Sequence, residues 1–288
     1  MVEKKPKKAL SDLGKTGGLL KGSVLAGTCR KVKVNRRALL FTMLFDLLFL
    51  LALAGLNLVL NILVPPSVYA SPLGNPLLII LRTLGIFAFA AVLSILLYSF
   101  FKFVVIWKVK SIFEKAVVEW PVFWRFFFLN IIILGIYFVV FIFFSLLFIT
   151  TVRIEALIAV RTFVIVLVGL FAYLTINTSH SLFARLDGST GQVVKQSLDL
   201  VFSRFRMYAG LIGFTLLASA VLTGVYYAFD WILLTILGDA IAVPSVFLGY
   251  AVVNTLVVFI LAFGLLAFNR VYFYGLVMES KRFITKRD

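Results

Sequence analysis

FFFLNIIILGIYFVVFIFFSLLFIT, residues 126–150, contains no charged side chain. Crossing the hydrocarbon core of a bilayer takes about 20 successive, predominantly apolar residues. A soluble helix of that length would carry a polar face. The run therefore reads as a membrane span, and five more of the same kind flank it at 38–64, 77–101, 156–177, 207–229 and 246–268. The chain as a whole is 62% hydrophobic, well above the roughly 45–50% of soluble domains. The expected fold is an all-α polytopic bundle of six transmembrane helices. The first run follows a polar segment of 37 residues and exceeds the length of a signal-peptide core, so it reads as a retained span.

The formal net charge is +16, and its placement matters more than its size. Segments 1–37, 102–125, 185–206 and 270–288 hold 25 of the 28 Lys and Arg residues; Arg82, Arg153 and Arg161 are the remainder. The positive-inside rule then puts both termini in the cytoplasm of a cell-membrane protein. The spans pair as three in-out-in hairpins, at about 38–101, 126–177 and 207–268, behind a basic cytoplasmic tail (1–37) that precedes the membrane domain (38–288). Attraction between basic residues and anionic headgroups accounts for this charge without any nucleic-acid partner.

Two segments between the hairpins carry helical amphipathicity. At about 108–120, Lys108, Ser111, Lys115 and Glu119 oppose Val109, Ile112, Phe113, Ala116, Val117 and Trp120. At about 190–203, Gln192, Lys195, Gln196, Asp199 and Ser203 oppose Val193, Val194, Leu198, Val201 and Phe202. Both read as cytoplasmic elbow helices lying in the interface. Shifted by 80 residues, Lys115 meets Lys195, Glu119 meets Asp199, Val118 meets Leu198 and Phe128 meets Tyr208, the pattern of an internal repeat. Pro121 marks the corner of the first elbow.

The spans differ in character. The third is rich in phenylalanine, including Phe126, Phe128, Phe138, Phe141, Phe143 and Phe144, and reads as peripheral and lipid-facing. The fifth carries Gly210, Gly213, Ala218, Ser219, Ala220 and Gly224, small residues that let helices approach closely in lipid, and reads as central.

Polar residues inside spans are the candidate functional groups. Asp46 and Asn57 lie eleven residues apart, close to three turns, and so share a helix face with Thr42 and Asn61 nearby. Asp46 sits about 12 Å inside the span. It admits two readings: a structural carboxylate bonded to a neighbouring helix or an interfacial Arg, or a site that couples protons or cations to transport. Asn254 in the sixth span can bond Asn57 or, equally, any neighbouring helix. Arg82 and Arg161 are interfacial charges expected to reach outward, Arg82 toward Asp230 or Asp239. His180, the one histidine, reads as a satisfied hydrogen-bonding residue, and Trp107, Trp120, Trp124 and Trp231 as interfacial anchors. Cys29, the one cysteine, reads as a bystander, with juxtamembrane palmitoylation as the sharper alternative.

The sequence contains no HExxH, no phosphate-binding glycine loop with Lys and no nucleophile elbow. We therefore expect no catalytic residue, no metal and no cofactor. VKSIFEKAVVEW (109–120) and GQVVKQSLDLVF (191–202), each ahead of a span, resemble the amphipathic elbows of the six-span membrane domain attached to some glycerophosphodiester phosphodiesterases and of related uncharacterised six-span prokaryotic families. The phosphodiesterase barrel itself has no counterpart here, so the resemblance implies a membrane domain without catalytic residues. Two functions are open at this level: a transport or lipid-handling permease-like domain, or a structural, accessory protein that organises other membrane components. The partners expected are anionic lipid at the cytoplasmic face and a membrane-protein partner or further copies of the chain.

Overall fold

The computed structural model describes residues 16–63, 76–151, 154–185 and 188–284. Segments 1–15 and 65–75 of the expected tail and first outer loop lie outside these. The chain forms eight α-helices among the described residues, with no strand: α1 (Thr16–Val34), α2 (Arg36–Leu63), α3 (Pro76–Phe113), α4 (Phe123–Thr151), α5 (Ile154–Phe183), α6 (Thr190–Ser203), α7 (Ala209–Leu237) and α8 (Pro244–Ile284). Six of them, α2–α5, α7 and α8, contain stretches long and apolar enough to cross a membrane. The protein is an all-α, multi-pass membrane protein.

Two compact units divide the chain. One joins residues 1–40 to 204–288; the other is residues 41–203. Within the second, α4 packs against α3, α5 and α6, and α5 packs against α6. The side chains with almost no exposure are Phe103, Val105, Val109, Phe126, Leu129, Ile133, Leu174, Leu182, Val193 and Val201. They gather where α3 and α5 end and α4 begins, the end that bears the lysines and arginines. Toward the opposite end of α3, Leu81, Leu84, Phe87 and Phe89 are exposed. This follows from the two solvents. Hydrocarbon gives apolar side chains no reason to leave it, whereas water does. The core therefore forms where the helices emerge from lipid.

The other unit repeats the principle. Residues 271–277 of α8 are buried on every side, with α1 packed on α8 and Tyr208 against Phe273 at 5.9 Å. Val24 and Thr28 of α1 are buried.

Several expectations from sequence are corrected. The first elbow does not exist as a separate helix. Residues 108–113 continue α3, which at 38 residues is about 57 Å long, and residues 114–119 are not helical. Val109 and Ile112 are buried as their periodicity required, but on the span itself. Glu119 is non-helical (φ −100°, ψ 86°), and a 3-10 turn at Trp120–Val122 containing Pro121 leads into α4. The second elbow is a helix, α6, with Val193, Val194, Ser197, Leu200 and Val201 buried within the unit, while Phe202 is 59% exposed. Its partners are α5 and α4, and Phe202 stacks on Phe171 of α5 at 5.1 Å. The two segments aligned as a repeat thus differ in structure. The basic tail is helical from Thr16, and α8 runs on to Ile284, well past residue 268. α7 extends to Leu237, where Gly238 takes a left-handed φ of 47° and its N–H closes on Leu234 O; this places Asp230 inside a helix.

The order of centrality is also reversed. α4, expected at the periphery, is the hub of its unit, with Phe126, Phe127, Leu129 and Asn130 buried. Leu211 is the buried residue of α7, and a Cβ added at Gly213 or Gly224 would meet nothing within 4 Å. Trp107 is buried rather than an interfacial anchor, with Lys110 Nζ 4.4 Å from its ring centre. Trp120, Trp124 and Trp231 are exposed.

Candidate functional site

The polar groups that meet inside a membrane-spanning unit do so near the basic end of residues 41–203. Asp46 of α2 accepts from Lys102 Nζ of α3 at 3.0 Å; the Asp46 side chain is buried, at 5% exposure, and that of Lys102 mostly so, at 14%. Aromatic rings wall the pair: Phe45 and Phe49 pack on Phe101 at 6.0 and 5.9 Å, and Phe49 on Tyr98 at 5.9 Å. Lys102 Nζ also lies 5.6 Å from the Tyr98 ring centre. A charge in this setting is held by its partner and by ring quadrupoles, not by water.

Adjacent in sequence to Tyr98, Ser99 begins a second polar chain. Asn130 Nδ2 of α4 donates to Ser99 Oγ at 3.0 Å, and His180 Nε2 of α5 lies 2.7 Å from Asn130 Oδ1. With the amide nitrogen donating to Ser99, the amide oxygen must accept, so the proton of His180 sits on Nε2. Ser99, Asn130 and His180 are all buried, and the imidazole packs on Phe126 at 4.7 Å and Tyr98 at 6.2 Å. Further along α4, the Tyr137 hydroxyl donates to Phe171 O at 3.1 Å and lies 2.6 Å from Thr175 Oγ1. These side chains tie α3, α4 and α5 together by bonds that hydrocarbon cannot replace.

The sequence candidates separate. Asp46 and Thr42 are buried, but Asn57 and Asn61 are exposed on the other half of α2. Sharing a helix face does not bring residues to the same depth. Asn254 bonds a neighbouring helix: its Nδ2 donates to Asp230 Oδ1 at 2.6 Å, as does the Tyr250 hydroxyl at 2.6 Å. Both acts occur within the α7–α8 hairpin. Arg82 and Arg161 are exposed. Lys102, Ser99, Asn130, Tyr137 and Thr175 escaped the sequence reading. Asn130 was legible as the one amide in the run FFFLNIII; Lys102 was hidden because it looked like the first charge beyond the span rather than part of it.

Among the described residues, no three of His, Cys, Asp and Glu lie together as a metal site. Comparison with protein-family models, with curated proteins and with solved structures gives no match to this chain.

Proposed function

We propose that this integral membrane protein is a structural or accessory component, a rigid unit that organises neighbouring membrane constituents and performs no chemistry of its own. The observation that carries this reading is the mutual satisfaction of the polar side chains that join α2, α3, α4 and α5. Asp46 is neutralised by Lys102, and Asn130 joins Ser99 to His180, all within a packed aromatic surround. A coupling carboxylate has to exchange its partner during a cycle; one locked in an ion pair between two helices acts as a fastener.

The permease-like reading rests on the same Asp46, since an ionisable group in a span is a functional candidate by default. Dye-reported proton and potassium flux in liposomes holding the purified chain separates the two. We expect flux no greater than in protein-free liposomes. Flux that Asp46→Asn abolishes while the chain still folds would establish the permease and end the accessory proposal.

The proposal includes an orientation. The basic end of residues 41–203, with exposed Lys115 and Lys195, faces the cytoplasm of the cell membrane and its anionic headgroups, each cation near the surface contributing about 1 kcal/mol. In a Cys29→Ser background, cysteine at Ser189 should react with a membrane-impermeant maleimide only in broken cells, and cysteine at Ala240 already in intact ones. The opposite pattern reverses the topology. The elbow resemblance to the phosphodiesterase-associated domain now rests on α6 alone.

A further inference from the structure

The α7–α8 hairpin follows one antiparallel register. Tyr208 meets Phe273 at 5.9 Å, Phe214 meets Phe268 at 5.0 Å, and Thr215 Oγ1 donates to Asn269 Oδ1 at 3.3 Å. Farther along the same seam, Tyr250 and Asn254 both donate to Asp230. Between these points the seam opens into an apolar groove of about 490 Å³, whose lining includes Phe214, Ala218 and Val221 of α7 and Ile260, Leu261 and Gly264 of α8. Its size falls in the 300–1,000 Å³ range of ligand pockets. Gly264 contributes to the hollow: a Cβ there would meet nothing within 4 Å.

The polar end of the seam has more acceptors than donors. Asp230 Oδ1 takes both hydrogen bonds, and among the described residues Oδ2 takes none and no Lys or Arg pairs with the carboxylate. Asn254, only 9% exposed, has its Oδ1 buried without a partner. The one O–H of Tyr250 and one of the two amide N–H groups of Asn254 are spent on Oδ1, and neither brings a positive charge. A cationic N–H donor complements this end. Tyr226, Tyr227 and Trp231 on the same turns of α7 form the kind of aromatic belt found at headgroup depth. From Val221 to Asp230 is about 13 Å along the helix, so a molecule with its head on Asp230 places its tail in the groove.

We propose that the α7–α8 seam holds one lipid with a primary-ammonium headgroup, its ammonium on Asp230 and its acyl chain in the apolar groove. The ammonium donates to Asp230 Oδ2 and neutralises the carboxylate. The groove removes the chain from the exchanging annulus. A trimethylated headgroup, which has no N–H, satisfies the charge but gives Oδ2 no hydrogen bond.

Native mass spectrometry of the full chain, released from micelles doped equally with ethanolamine or choline phospholipids of identical acyl chains, tests this. One ethanolamine lipid should be retained about tenfold over choline lipid, a difference of about 1.4 kcal/mol. Asp230→Asn, which keeps an acceptor for Tyr250, should bring retention down to the choline level. Gly264→Leu should reduce retention of both lipids without lowering the melting temperature. If Asp230→Asn fails to fold, Tyr250→Phe and Gly264→Leu answer the same question. Equal retention of the two lipids, or full retention by a folded Asp230→Asn chain, overturns the proposal. So does displacement by soluble ethanolamine that is unaffected by Gly264→Leu, which identifies a free-amine site. A lipid-free dimer that Gly264→Leu disrupts overturns it as well, and identifies a second copy in the groove.

Discussion

Lys102→Met should lower the stability of the chain by about 3–5 kcal/mol, the usual cost of stranding one member of a buried ion pair. Asp46→Leu should do the same. Each leaves an uncompensated charge among Phe45, Phe49, Phe101 and Tyr98, where 5% and 14% side-chain exposure allow little water to help. The double variant Asp46→Leu/Lys102→Met strands nothing and should return most of the loss, because paired apolar replacements of a buried ion pair are often neutral or stabilising. Unfolding in mixed micelles, followed by the intrinsic fluorescence of the tryptophans, gives the cycle. Additive losses in the double variant would show that the two charges are held by different partners.

The second large effect concerns α4. Phe126 is fully buried, touching Phe103 at 5.6 Å, His180 at 4.7 Å and Phe183 at 5.2 Å. Phe126→Ala should cost about 3–5 kcal/mol, from lost transfer energy and from the cavity left among three helices. Phe143, on the same helix but 62% exposed, should change stability by no more than about 0.5 kcal/mol when replaced by alanine. Gly213→Leu should also be nearly silent, since the added side chain has open space. Detergent melting of the three variants ranks them. A Gly213→Leu loss as large as that of Phe126→Ala would mean that α7 is packed against something outside its own unit.

The spans were legible because hydropathy over about 20 residues is a property of the solvent they cross. Their ends were not. A helix continues as long as its backbone and packing allow, and α3 carries Lys102, Lys108 and Lys110 while still burying Val105, Val109 and Ile112. The helical period at 108–113 was read correctly and assigned to the wrong helix. Phenylalanine content misled in the same way. It marked α4 as lipid-facing, yet four of its first eight residues, Phe126, Phe127, Leu129 and Asn130, are buried at the basic end, where water enforces a core. Asp46 was found from its cost in lipid, but its partner lay on a helix whose length the sequence did not reveal. The small residues of α7 form the kind of face that supports close packing, and nothing in the sequence says whether a neighbour arrives to use it.

The unit formed by residues 1–40 and 204–288 is discontinuous, with α1 packed on α8. A ribosome finishes α1 at Val34 and reaches Pro244, the start of α8, only after some 210 more residues, about 10–40 s of synthesis at ordinary elongation rates. During that interval the face of α1 that carries Val24 and Thr28 has no α8 to cover it. The newborn chain therefore passes through a stage at which α1 waits for α8. Any truncation before α8 leaves that face of α1 open.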